Sequence, residues 1–203
     1  MIDAAVPLSY SDIEALHRKY APCKAIYDLV FTHCQIVCEI AEQLMAHAAI
    51  PLDADLIRIG GMLHDIGVYS LFDANGKLKP GVSYVTHGLE GEVILKTEGF
   101  PEAIWRFASH HTGVGLSSQD VIDQGLPLPV ADYRAKTDEE LLIMYADKFH
   151  SKTVPPRFNT YAQYADHLMQ FGADKVIEFE EMSQKFGQPD LDSLVKKYGH
   201  SIG

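Results

Sequence analysis

Positive charge, cysteine and long apolar runs are what this sequence has least of. Lysine and arginine total 17 against 28 aspartates and glutamates, a formal net charge of −11. A broad basic face for nucleic acid is therefore not expected, although a local cationic mouth around a site is compatible with that total. No uncharged apolar run approaches the roughly 18–20 residues of a membrane span, so no membrane partner is expected. The opening MIDAAVPLSYSD lacks a positive start followed by an apolar core; no secretory signal is read there, and the chain reads as cytoplasmic. The three cysteines, Cys23, Cys34 and Cys38, show no Cys-x-x-Cys spacing. Cys34 and Cys38 stand one helical turn apart and are expected to be small buried residues in a reducing compartment, forming neither a disulfide nor a zinc pair. Internal repeats and low-complexity segments are absent, and so is the Val/Ile alternation of a parallel sheet. The class expected is all-α.

What the chain does have is helical periodicity and histidine. Its 203 residues suit one substantial domain, and ten of them are histidines, a first hint of metal chemistry. Ser11-x-x-Glu14 reads as a capping box opening a helix to about Tyr20. Apolar residues recur at helical spacing from Ile26 to about Ala48, with Pro51 closing that helix. Asp53 is expected to cap a helix that runs to about Asp65 and stops near Gly67. Residues 70–83 hold the turn signals Asn75-Gly76 and Pro80-Gly81 and read as a loop or small hairpin. Further helices are expected over 86–98 and from Pro101 to about His111, followed by a long surface loop over 112–136 with one helical turn. Thr137-x-x-Glu140 reads as a second capping box before the apolar helix LLIMYADKF. One long helix over 160–186 and a short one from Leu191 follow.

Several polar side chains sit where such helices should be apolar. His33 stands mid-helix, where a buried histidine bonded to a backbone carbonyl is the ordinary explanation. His64-Asp65 ends an apolar helix in GGMLHDIGVYS. A histidine suits that end of the helix dipole, but an aspartate does not. Asp147 emerges from LLIMYA, a run too apolar for a solvated face. A buried unpaired carboxylate costs several kcal/mol or becomes protonated, and a cation or metal removes that penalty. Facing helices of a bundle can each contribute one inward side chain to a common ion. Imidazole and carboxylate together favour Fe or Mn and are compatible with Zn, Ni, Co or Mg.

The ordered set His33, His64-Asp65, Asp147, in the contexts THCQIVCEIA, GGMLHDIG and MYADKFHS, resembles the HD superfamily of metal-dependent phosphohydrolases over about residues 20–150. The resemblance implies a helical HD-domain bundle: a single domain over 1–203, with its core at about 20–150 and C-terminal helices over 158–200 packed on it. Superfamily members with two metals add two histidines between the HD pair and the last aspartate. His87, in VTHGLEG, and His111, in SHHTGVG, fit that arrangement. The resemblance then implies one ion on His33, His64 and Asp147, another on His87 and His111, and Asp65 bridging both. His111 shares a helical face with Ile104 and is preferred to His110, which becomes a residue behind the ligands or on the substrate side. The pattern is similar to dinucleoside tetraphosphate hydrolases. It departs from cyclic-di-GMP phosphodiesterases, since no lysine follows the HD pair and no Gly-Tyr-Pro signature follows the two histidines.

The implied chemistry is attack of an activated water on a phosphorylated small molecule, with nucleotides among the candidates. Asp65 would orient the water, and cations would meet the charge that builds on the phosphoryl oxygens. Lys148 is the first cation candidate, with Lys152, Arg157, Arg134, Lys24 and Arg18 as others; His110 is counted with Asp65 and Lys148 among the catalytic residues, and His150 is a candidate acid for the leaving group. Two other readings use the same residues: a di-iron oxygenase of the HD type acting on a small polyol or phosphonate, and a nucleotide-sensing module without turnover. The sequence leaves the oligomeric state open.

Overall fold

The structure, a computed structural model, describes residues 8–203; the first residues of the stretch inspected for a signal lie outside that range. The described residues are mostly helical, with one small sheet. The helices are α1 (Tyr10–Tyr20), α2 (Lys24–His47), α3 (Ala54–Leu63), α4 (His87–Thr97), α5 (Glu102–Ser109), α6 (Ser118–Asp123), α7 (Asp138–Asp147), α8 (Tyr161–Leu168), α9 (Ala173–Phe186) and α10 (Leu191–Tyr198). Short 3₁₀ segments occupy Ile66–Leu71, Tyr84–Thr86 and Met169–Phe171. Among the described residues, no helix is long and apolar enough to cross a membrane.

Helix α2 is the axis of the molecule. Toward its C-terminus Ile36, Ile40 and Leu44 pack with Leu142 and Ile143 of α7, Phe179 and Phe186 of α9 and Leu194 of α10. Toward its N-terminus Val30 and Cys34 pack with Ile13 of α1, Leu63 of α3, Leu95 of α4 and Ala108 of α5. His33 stands between these two apolar clusters. Cys34 and Cys38 are buried free thiols, as expected.

Several elements differ from the sequence reading. The cap of α1 is Ser9 paired with Asp12, not Ser11 with Glu14. Thr137 does cap α7, accepting from Glu140 N, but the Glu140 side chain turns to Arg106 and not back to the cap. Helix α3, capped by Asp53 as expected, ends at Leu63, two residues early. The segment expected as one helix over 160–186 is broken at Gly172, whose φ of 129° only glycine adopts readily. The sheet is new: β1 (His150–Ser151) pairs antiparallel with β2 (Arg157–Phe158), which pairs parallel with β3 (Ser201–Ile202). Strands of two residues have no periodicity to read.

Gly67 positions the site. A Cβ there would overlap the His87 carbonyl and the Gly91 backbone. The 3₁₀ segment after Asp65 and the start of α4 therefore approach backbone to backbone, which brings His87 to Asp65.

Candidate metal centre

His33, His64, Asp65 and Asp147 each offer one ligand atom, all within 4.8 Å of one another; Asp65, His87 and His111 form a second such group. Asp65 belongs to both. Its Oδ2 lies 3.1 Å from His33 Nε2 and 3.3 Å from His64 Nε2. Its Oδ1 lies 3.5 Å from both His87 Nε2 and His111 Nε2. Asp147 Oδ1 faces His33 Nε2 at 2.9 Å and His64 Nε2 at 3.5 Å.

The histidine tautomers show what belongs among these atoms. His64 Nδ1 donates to Gly61 O at 2.7 Å, His87 Nδ1 to Tyr84 O at 2.7 Å, and His111 Nδ1 to Phe107 O at 2.9 Å. A carbonyl only accepts, so in the neutral ring each of these Nε2 atoms bears a lone pair aimed at the cluster. His87 Nε2 and His111 Nε2 are only 3.0 Å apart. The Asp65 Oδ1 atom facing both is buried and has no hydrogen-bond donor among the described residues. Converging lone pairs and an orphaned carboxylate oxygen fit a divalent cation, and a backbone-anchored Nδ1–H is the usual support of a metal-bound imidazole. Asp65 and His111 follow the C-terminal ends of α3 and α5, and Asp147 ends α7. Three negative dipole ends therefore reinforce the demand for positive charge.

The polypeptide's own charges respond to that demand. The Lys152 ammonium sits on Asp65 Oδ2, and the Lys148 ammonium bonds Asp147 Oδ2 at 2.7 Å. Burial opposes ionisation of Asp65, but Lys152 and His64 outweigh it and hold the carboxyl well below the usual range. Asp147 is lowered likewise, against burial, by Lys148 and the His33 hydrogen bond. Burial works against a charge on His64 too, yet the Asp65 carboxylate raises it well above its ordinary value. Burial pushes His87 down to about 3 and lowers His111 as well, which leaves both neutral.

The remaining candidates divide. Lys148 also donates to His111 O at 2.9 Å, clamping α7 to the residues after α5. His150 Nδ1 stands 2.8 Å from His33 Nδ1, and its Nε2 is 2.9 Å from His200 Nδ1. Two further imidazoles thus back the first ligand, His150 on β1 and His200 just before β3. His110 turns away from the cluster: Arg106 Nη1 lies 2.8 Å from its Nε2 and Ser109 Oγ 2.7 Å from its Nδ1. Arg134 pairs with Glu178, Lys24 with Asp28 and Arg18 with Glu14, all at the surface. Arg157 is exposed on β2.

Sequence reasoning missed His200 and the buried Arg106–Glu140 pair. Arg106 Nε and Nη2 donate to Glu140 at 2.8 and 3.0 Å, and Nη2 also donates to Arg134 O at 2.9 Å. The pair ties α5 to α7, the helices leading to His111 and Asp147. Residues 34 apart leave no local signal, and Arg106 and Glu140 each pass for a solvated face.

The HD-domain family profile matches residues 30–152. The chain belongs to the HD-domain family. Its relatives include a tRNA (cytidine(56)-2'-O)-methyltransferase of Picrophilus torridus, 32% identical over 171 residues that make up 83% of this chain and 46% of that protein. An uncharacterized protein of Methanocaldococcus jannaschii is 33% identical over 121 residues, 58% of this chain and 64% of that one. This HD domain thus spans about half to two thirds of the length of those relatives. Among solved structures, the HD domain of the L. monocytogenes phosphodiesterase PgpH superposes with a TM-score of 0.51 at 17% identity, covering 93% of this chain and 99% of that one. Its complex with cyclic-di-AMP gives 0.52 at 16% identity, covering 94% and 99%. At such identities the likeness concerns the fold.

Proposed function

We propose that this HD domain hydrolyses a phosphate ester of a small molecule at a dinuclear metal centre. The observation behind this reading is the division of Asp65: one oxygen faces His33 and His64, while the other, without a hydrogen bond, faces His87 and His111. His33, His64 and Asp147 would hold one ion, His87 and His111 the other, and Asp65 both. Fe or Mn best suits the mixed nitrogen and oxygen donors. Bound there, divalent ions supply Lewis acidity toward a phosphoryl oxygen and make a water acidic enough to be a nucleophile near neutral pH.

The chain's own residues do the rest. Beside the cluster lies a cavity of about 350 Å³ lined by polar residues, among them Tyr84, Asp147, Lys148, His150, Lys152 and Tyr164. Lys152 is partly exposed toward it, and once relieved of Asp65 its ammonium meets the negative charge of the phosphoryl oxygens. Lys148 stays pinned to Asp147 and His111 O, so it positions ligands and adds field. In the reaction the water oxygen bonds to phosphorus, the ester P–O bond breaks, and a proton passes to the departing oxygen. His110, with both ring nitrogens engaged elsewhere, acts through Arg106 on the helix that leads to His111.

Lys148 and Lys152 at the cavity support a phosphorylated ligand and argue against a neutral polyol as substrate. The solved neighbour is named as a phosphodiesterase and binds cyclic-di-AMP, in keeping with a phosphorylated ligand. The deciding experiment loads the protein with Mn or Fe under nitrogen and follows phosphate release from a panel of monoesters and nucleotides. Release independent of oxygen is expected. Oxygen uptake without phosphate release would replace the reading with the oxygenase, and equal nucleotide binding by metal-free protein would replace it with a sensing module.

A further inference from the structure

Across Tyr164 from the polar cavity lies a second one, of about 320 Å³, in which apolar side chains predominate: Val85, Leu116, Leu126, Leu168 and Phe171. The two are neighbours by three routes. Tyr164 lines both. Tyr84 lines the polar cavity and Val85 the apolar one. Thr112 and Gly113, on the apolar side, directly follow the ligand His111. The Tyr164 ring is half-buried and contributes to the wall of both cavities.

We propose that this cavity receives an apolar organic group, aryl or branched alkyl, of the phosphate ester whose phosphoryl group lies at the metal centre; the assignment rests on the hydrolase reading above. The size is that of a pocket for one small group, at the low end of ligand sites. Thr112, Gln124 and His167 also line the cavity, but most of its surface is apolar. A second phosphate is disfavoured. The buried Lys175 ammonium at the cavity is already bonded to Asp120 at 2.8 Å and flanked by Glu178 at 3.6 Å. Gly113 leaves the floor open, since a Cβ there would meet nothing within 4 Å. Phe171 is 45% exposed at the rim, an apolar surface that such a group would cover.

The test is calorimetric binding of phenylphosphonate and methylphosphonate, neither hydrolysable, to the metal-loaded protein. Phenylphosphonate is expected to bind roughly tenfold tighter, the effect of burying one ring. Phe171→Ala, at an exposed position, and Leu126→Trp, which fills the cavity, should each reduce that preference several-fold. Ile177→Ala, on an exposed apolar residue elsewhere on α9, should leave the preference intact. Equal affinity for the two phosphonates, or a preference that survives both cavity variants, overturns the assignment and leaves the hydrolase reading standing. Binding of neither overturns both. Should Leu126→Trp fail to fold, Phe171→Ala decides alone.

Discussion

Asp65 Oδ1 and His87 Nε2 face each other at 3.5 Å, two electron-pair donors with no hydrogen bond joining them. An ion between them removes the repulsion. His87→Ala should therefore lower the metal content of the purified protein from about two ions per chain to about one, while His64→Ala and Asp65→Ala should abolish both binding and turnover. Elemental analysis of each variant reads this directly, with exposed His47→Ala as the unaffected control.

Lys152 places its ammonium on the carboxylate oxygen that a first ion would need. Lysine and metal compete for Asp65, and the displaced lysine lines the cavity proposed for the phosphate. Lys152→Met should then have opposite effects on two measurements, tightening metal binding while lowering kcat. A loss of both together would mean that the lysine only holds the fold.

His150 supports His33 from behind, at 2.8 Å, and is itself backed by His200. Residues that fix a ligating imidazole commonly contribute 10–100-fold to metal affinity. His150→Ala should weaken metal binding by about that factor without changing the stoichiometry, and His200→Ala by less. Competition against a chromogenic chelator measures both.

The Arg106–Glu140 pair has side chains only 5% exposed. Removing one partner strands a buried charge, so Arg106→Ala or Glu140→Ala should destabilise the protein by about 3–5 kcal/mol. Replacing both with apolar residues of similar size should cost much less, and urea unfolding of the three variants gives the comparison.

His17 is fully buried, bonded to Tyr69 Oη and Met62 O, and burial lowers its pKa from 6.5 to about 4. The unfolded chain therefore takes up this proton first as pH falls. Stability from His17 is fully present above pH 6.5 and is lost between 6.5 and about 4, on the order of 3 kcal/mol in total. His17→Gln should reduce the pH slope of the unfolding free energy in that window by about one proton.

Much of the architecture was legible along the chain because it is local. Helical spacing, Asp53 and Thr137 as caps, and Pro51 as a stop report on neighbours within a turn. The same holds for the oddity of Asp147: a carboxylate in an apolar run needs a partner whichever helix supplies it. The break at Gly172 was harder, since a lone glycine is tolerated in many helices and only its backbone angle shows that this one ends one.

What the sequence by itself determined is the kind of atom offered: imidazoles and carboxylates at helix ends, in an order that fits one family. Tertiary structure alone decided which of them meet, that Asp65 faces two ways, that His111 and not His110 turns inward, and that Arg106 finds Glu140. The reason is physical. Helical periodicity is set by hydrogen bonds four residues apart, whereas these contacts join residues separated by 22 to 114 positions, and they form only when the packing of α2 against its neighbours brings them together.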